Sequence, residues 1–293
     1  MQYPLKIKLM KKESNMLKKI MVTLLGMAVF LSVTAWAADT FGGYPVPVDI
    51  AINGDFIKCT KKPIMIDSTT YIPLRAFSDA IGGNISWDDA KKAATMAKDG
   101  HSFVFYTQTD NCVIDGEETG YSSVLYQNLT FIPIRAVSEV LEYEVEWDDF
   151  YLTVKITAPN VEVPADCKDF SYTYDDILYL SKITQIESGY QHFTVRLGVA
   201  GTVLNRVASH QFPNSIKEVI FDTRYGVQFP PAHTDKINVT PSKETVIAAK
   251  CVLNGANVVG KALYFIDTKY AASSWAHSNL PHAVTLHDMS FYE

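Results

Sequence analysis

The sequence predicts an α+β protein of two domains: a duplicated β-rich domain with short helices, followed by a mostly helical one. Three observations carry this. A pair of motifs recurs at an offset of 60 residues, from 71 to 131 and from 85 to 145. Hairpin-turn dipeptides punctuate the first half. Beyond a proline-bearing segment at 158–164, the pattern changes from strands to helices. The chain has 293 residues, 47% hydrophobic and 20% charged, which is the composition of a folded protein with room for two domains.

Residues 1–37 read as a secretory signal peptide. Lys11, Lys12, Lys18 and Lys19 precede an apolar run from Ile20 to Val33, and Ala35-Trp36-Ala37 supplies a small-x-small cleavage site. The run is short for a membrane span, although an uncleaved anchor is the alternative. Export permits disulfides. The cysteines Cys59, Cys112, Cys167 and Cys251 fit no zinc spacing. A Cys59–Cys112 bridge and unpaired buried thiols both remain open.

The first domain spans residues 46–157. Tyr71-Ile72-Pro73-Leu74-Arg75-Ala76 returns as Phe131-Ile132-Pro133-Ile134-Arg135-Ala136, and Ile85-Ser86-Trp87-Asp88-Asp89 returns as Val145-Glu146-Trp147-Asp148-Asp149. Each unit reads as strand, proline, short helix, then a strand carrying the tryptophan. The proline suits the start of the helix, where its fixed φ is tolerated. Gly82-Gly83 ends the first helix, and Asn53-Gly54 and Asp115-Gly116 mark hairpin turns. These motifs resemble the copper amine oxidase N-terminal-like ("stalk") domain. No copper is expected despite the name: His101 is the one histidine in this region, so no imidazole cluster exists to hold the metal. A spacer or wall-associating role is what the resemblance implies.

Residues 158–170, opening with Ala158 to Pro164, read as the linker. The second domain, 171–293, opens on Thr173 to Tyr190, which fits an amphipathic helix. Thr173 can cap it, Asp175 and Asp176 sit in its first turn, and Gly189 stops it. Leu180, Ile183, Glu187 and Tyr190 follow at helical steps, so a carboxylate interrupts an apolar stripe. Partial burial and the negative end of the helix dipole both raise the pKa of such a carboxyl. Held protonated near neutral pH, it can give a proton to a leaving oxygen. The alternative is a solvated Glu187, or one paired with Lys182 or Arg196.

A second helix is expected over Phe193 to Val207 with no obvious cap, its Gly198, Ala200 and Gly201 admitting another helix. A short helix follows near Ser215–Ile220, then an aromatic loop at Gln228-Phe229-Pro230-Pro231. Thr240-Pro241 is expected to open a helix ending near Gly255, and Ala262 to Ile266 reads as a short strand.

This order, with the Leu204-Asn205-Arg206-Val207, Phe212-Pro213-Asn214, Gln228-Phe229 and Ala262-Leu263-Tyr264-Phe265 motifs, resembles the SleB/CwlJ-type cell wall hydrolases, the spore-cortex-lytic family. The resemblance covers about residues 174–292. It implies a lysozyme-like, mostly helical catalytic domain with Glu187 as the general acid on peptidoglycan glycan strands. This chain departs from the family where Tyr190 and Gln191 replace a glycine and a second acid, and where Asp288-Met289 replaces Asn-His.

Glycoside hydrolysis by water normally needs two carboxylates. Glu218 reads as solvated, and Asp222, Asp235 and Asp288 have no assigned place. A one-acid site fits a lytic transglycosylase, in which the muramic C6 hydroxyl attacks the anomeric carbon and no second carboxylate is required. The substrate-binding candidates are Gln228, Phe229, Asn205 and Tyr264, because amides bond N-acetyl groups and aromatic faces stack on sugars. A core or loop-fixing role is the alternative for each.

His277, His282 and His287 recur every five residues, which builds no metal face, and neither a His-Glu-x-x-His nor a Gly-x-Ser-x-Gly motif is present. No metal or cofactor is expected. The net charge of −6 gives no support to nucleic-acid binding. The expectation is therefore a secreted enzyme of the cell wall or spore envelope acting on peptidoglycan, the alternative being a non-catalytic wall-binding protein with a degenerate hydrolase domain.

Overall fold

The computed structural model describes residues 38–224 and 226–293. The expected signal segment lies outside the described residues. Residues 38–293 fall into one compact unit.

Alternating apolar residues and tight turns build three larger sheets in the first half, beside a two-stranded hairpin of Thr40–Phe41 and Tyr44–Pro45. A five-stranded antiparallel meander runs in the order Glu117–Ser122, Asn111–Ile114, His101–Tyr106, Ala93–Lys98, Asn84–Asp88. A four-stranded antiparallel sheet has Thr69–Pro73 and Leu129–Pro133 at its centre. There Ile72 faces Ile132, so the two recurring motifs pair with each other. The third sheet joins Glu144–Asp148, Thr153–Thr157, Asp49–Ile52 and Asp55–Phe56, with Thr153–Thr157 parallel to Asp49–Ile52. Asn53-Gly54 and Asp115-Gly116 both take positive φ, as a two-residue hairpin turn requires.

Helices α1 (Leu74–Ile81) and α2 (Ile134–Val140) each start directly after the motif proline. Gly82, at φ 71°, ends α1 in the left-handed conformation. Ile72, Phe77, Met96, Phe103, Phe105 and Ile132 form the core between these elements.

Strand Asp49–Ile52 is buried on both faces. Ile50 and Ile52 point into the first core, while Ala51 joins a second core built from helices. Period-two alternation thus makes one strand a wall shared by both halves. The helices are α3 (Tyr174–Ser188), α4 (Phe193–Ala208), α5 (Ile216–Ile220), α6 (Lys243–Leu253), α7 (Thr268–Ala271) and α8 (Trp275–Asn279). A three-stranded sheet, ordered Tyr264–Asp267, Met289–Tyr292, His282–Leu286, completes this half. Two of those strands lie beyond the single short strand expected near 262–266.

The segment expected to be a linker is tied to the first half. The Asn53 side chain donates to Ala158 O (2.8 Å) and Val161 O (2.9 Å). Lys58 N donates to Cys167 O, and Asp169 N to Phe56 O. All four cysteines are free, so the open Cys59–Cys112 bridge is not formed.

Three local expectations are corrected. Helix α4 does have a cap: His192 Nδ1 accepts from Thr194 N. Ser242, not Thr240, caps α6 through Thr245 N. A helix does pack closely on α4, where Ala200 shares the second core with Ala248 and Ala249 of α6, but at Gly198 a Cβ would stand 2.5 Å from the Phe291 ring, so a strand residue fills that notch.

Candidate active site

Helix α3 forms because both ends are specified. Thr173 Oγ1 accepts from Asp176 N, and the Asp176 carboxylate accepts from Thr173 N at 2.8 Å, closing a capping box. Ile177, Leu180 and Ile183 are fully buried. At the other end Gly189 N bonds Gln185 O, and Arg196 donates to Gly189 O at 2.7 Å. A Cβ on Gly189 would stand 1.9 Å from the Gln185 amide. That amide is committed, since its Oε1 accepts from Ser242 N (2.9 Å) and Thr245 Oγ1 (2.8 Å) at the start of α6.

Glu187 sits one residue before the end of α3 and is partly buried. Tyr190, beyond the helix, is fully exposed, so the predicted apolar stripe ends with Glu187. Burial pushes the Glu187 carboxyl above the usual carboxylate range, while the positive charges of Arg206 and Lys236 pull it partly back. The alternative partners lie elsewhere: Arg196 approaches Glu244 at 3.7 Å, and the Lys182 ammonium lies over the Tyr179 ring.

Arg206, on α4, is the residue sequence reasoning missed. It is buried, yet it stands in line with buried Val195, Val199 and Thr202 at helical steps of four, three and four. That charged break in an apolar stripe was the available signal. Its guanidinium lies 4.9 Å from the Phe212 ring centroid, 5.0 Å from Phe229 and 5.5 Å from Tyr264. Nε donates to Leu263 O at 2.7 Å, whereas buried Nη1 has no hydrogen-bond partner. Burial pulls the guanidinium down to about 10, so it remains charged at neutral pH.

The four predicted binding residues separate. Tyr264 is partly exposed and packs edge-on against Trp275 at 5.8 Å, and Trp275 is itself 61% exposed, so this pair offers rings to solvent. Phe229 is only 2% exposed and lies against the Arg206 guanidinium; it serves as floor and not as a stacking face. Asn205 is a loop-fixing residue, since its amide donates to Gly260 O (3.0 Å) and Ala262 O (2.9 Å). Gln228 is partly buried and its amide donates to Gly226 O within its own loop. Asn205 and Arg206 together pin 260–263, the segment that delivers Tyr264.

Two of the other acids are committed to local partners. Asp222 pairs with Arg224 at 2.9 Å, which holds its carboxyl below the usual range. Glu218 accepts from the Ser215 hydroxyl at the α5 cap. Among the described residues no cluster of three or more His, Cys, Asp or Glu side chains can hold a metal. His282 bonds Thr285, His277 bonds Tyr292, and His287 stacks on His192.

A partly buried acid, a buried cation that influences it and solvent-facing rings carried on the 264–275 segment are the groups gathered here. Comparison with known proteins gives the families that this chain resembles. Residues 191–292 match the Cell Wall Hydrolase family model, and residues 51–156 and 119–176 match that of the copper amine oxidase N-terminal domain. The chain thus resembles a cell wall hydrolase domain behind a copper amine oxidase N-terminal domain. The hydrolase match begins at Gln191, just after Glu187.

The spore cortex-lytic enzyme of Bacillus cereus is 32% identical over 104 residues, covering 36% of this chain and 39% of that protein. Its counterpart from Oceanobacillus iheyensis is 28% identical over 117 residues, covering 40% of each. The chain thus spans about two fifths of the curated relatives it matches. The catalytic domain of the germination-specific lytic transglycosylase SleB from Bacillus anthracis is 27% identical, with a TM-score of 0.39, covering 43% of this chain and 99% of that domain.

Proposed function

We propose that this chain is a secreted lytic transglycosylase that cuts the β-1,4 bond between N-acetylmuramic acid and N-acetylglucosamine in wall or spore-cortex peptidoglycan. The observation that carries the reading is Glu187: a partly buried acid at a helix end, its carboxyl raised by burial, with no carboxylate among the influences acting on it. Glu187 gives its proton to the glycosidic oxygen as the bond to C1 breaks. The muramic C6 hydroxyl then attacks C1, and its proton passes to the Glu187 carboxylate. The acid is restored, no water is consumed, and the product carries a 1,6-anhydro end.

Tyr264 and Trp275 are the surfaces on which sugar rings stack. Arg206 limits how far burial raises the acid. The likeness to cell wall hydrolases and spore cortex-lytic enzymes supports the substrate class.

Mass analysis of muropeptides released from purified sacculi tests this directly. Anhydro ends are expected from the parent chain, and reducing ends would mean a water-using muramidase instead. In a zymogram Glu187→Gln should leave the peptidoglycan uncleared. Equal clearing by both proteins removes Glu187 as the acid, and no clearing by the parent favours a wall-binding protein without activity.

A further inference from the structure

The copper amine oxidase N-terminal half holds a cleft of about 700 Å³ that the proposed reaction does not use. Trp87 and Leu125 line it, and each is 52% exposed. Single exposed apolar residues are ordinary, but two that line one concavity form a patch, and patches rimmed by polar groups mark binding surfaces. Four charged side chains surround them: Arg75 and Asp79 from α1, Lys58 and Asp166 from the flanking segments. All four are exposed, and none has an ion-pair partner within 4.0 Å among the described residues. The Asn128 side chain completes the rim.

The recurring motif provides an internal comparison. Trp147 stands where Trp87 stands, 60 residues on, and each indole donates to the aspartate two residues later. At the second position the helical half covers the corner. Trp147 is partly buried and packs against both cores, and Asp149 pairs with Lys243 of α6 at 2.7 Å. At the first position Asp89 pairs only with its neighbour Lys92, and Trp87 faces solvent over the cleft. The same corner that receives a partner in one repeat is exposed in the other.

We infer that this cleft is a second binding site for the amino-sugar strand of the wall, separate from the site of cleavage. The chemistry matches that ligand. An indole face takes the apolar C–H face of a pyranose ring, Arg75 and Lys58 take a lactyl or peptide carboxylate, Asp79 and Asp166 take a peptide amine, and the Asn128 amide takes an N-acetyl group. A concave, largely apolar surface with a few uncommitted polar groups is the usual form of such a site. The inference rests on the reading of the chain as a wall enzyme, and it adds a grip that holds the enzyme on an insoluble substrate between cuts.

The test is co-sedimentation of the full chain carrying Glu187→Gln with purified sacculi stripped of anionic wall polymers by hydrofluoric acid. Trp87→Ala in that background should raise the apparent Kd about tenfold, and Arg75→Ala with Lys58→Ala should do the same at low salt. In the active chain Trp87→Ala should cleave short soluble glycan fragments at the parental rate while losing rate on sacculi. An unchanged melting temperature guards against simple misfolding. Retention unaltered by both sets of variants overturns the inference, as does binding that vanishes once the anionic polymers are stripped. Because retention is read without cleavage, an inactive parent would refute the proposed reaction and leave this result standing.

Discussion

Glu187 and Arg206 are two charges placed where their helices should be apolar, and they influence each other. Burial raises the pKa of Glu187 in the folded chain above its unfolded value, so the folded chain keeps a proton that the unfolded chain releases. Stability from this group is therefore fully present in acid and falls as pH rises through the ordinary carboxyl range. Glu187→Gln should lower activity by about 10²–10⁴-fold. It should also raise the melting temperature at neutral pH, a gain that disappears in acid. Thermal melts across pH check the sign. Since the proposed reaction needs the protonated carboxyl, activity should fall as pH climbs through the raised pKa. Arg206→Met removes the larger of the two cationic influences and leaves Lys236, so the alkaline limb of the pH–rate profile should move upward. Arg206→Lys keeps the charge, so the limb should stay near its parental position while kcat/KM drops through loss of the bond to Leu263.

At the scale of elements, α4 shows how a glycine is fixed by its neighbour. A Cβ on Gly198 would stand 2.5 Å from the Phe291 ring tip and 3.1 Å from Val259, both fully buried. At Gly201 the nearest contact is 3.2 Å, to a single methyl of Val259. Gly198→Ala should cost about 1–3 kcal/mol despite its better helix propensity, while Gly201→Ala should be near neutral. Urea unfolding of the two variants separates them. Elements were the most legible level of the sequence. The capping box at Thr173, the proline starts of α1 and α2 and the left-handed Gly82 are local signals, and local signals are written in adjacent residues. What escaped was non-local. The pairing of Tyr264–Asp267 with Met289–Tyr292, the ring that fills the Gly198 notch and the commitment of the Asn205 amide to Gly260 and Ala262 all join residues distant in sequence. At the candidate site, the partial burial of Glu187 was readable because one break in an apolar stripe marked it. Phe229 was misjudged because an aromatic residue in a loop motif gives no sign of whether its ring lies above or below the surface.

Across the whole molecule, the two halves share buried charge as well as the wall strand. Lys250 of α6 is fully buried, 2.9 Å from the Asp49 carboxylate, and donates to the carbonyls of Tyr151 and Leu152. The Tyr172 hydroxyl also donates to Asp49 at 2.9 Å. Burial pulls the Lys250 ammonium below its usual range, and Asp49 opposes that pull. Lys250→Met leaves a buried carboxylate short of its main partner and should destabilise the whole unit by about 3–5 kcal/mol. Adding Asp49→Asn should recover much of that loss. A single unfolding transition in both variants would show the halves melting together, whereas two transitions would show that the contact does not couple them.

Phe291, the third residue of strand Met289–Tyr292, links the order of synthesis to the order of assembly. Tyr264 lies on a strand whose one sheet neighbour among the described residues is this one, and Phe291 packs that neighbour against α4. A ribosome has built Glu187 and Arg206 long before it adds residues 289–292. Until those residues are added, Glu187 and Arg206 can be in place while the strand of Tyr264 lacks its pairing partner.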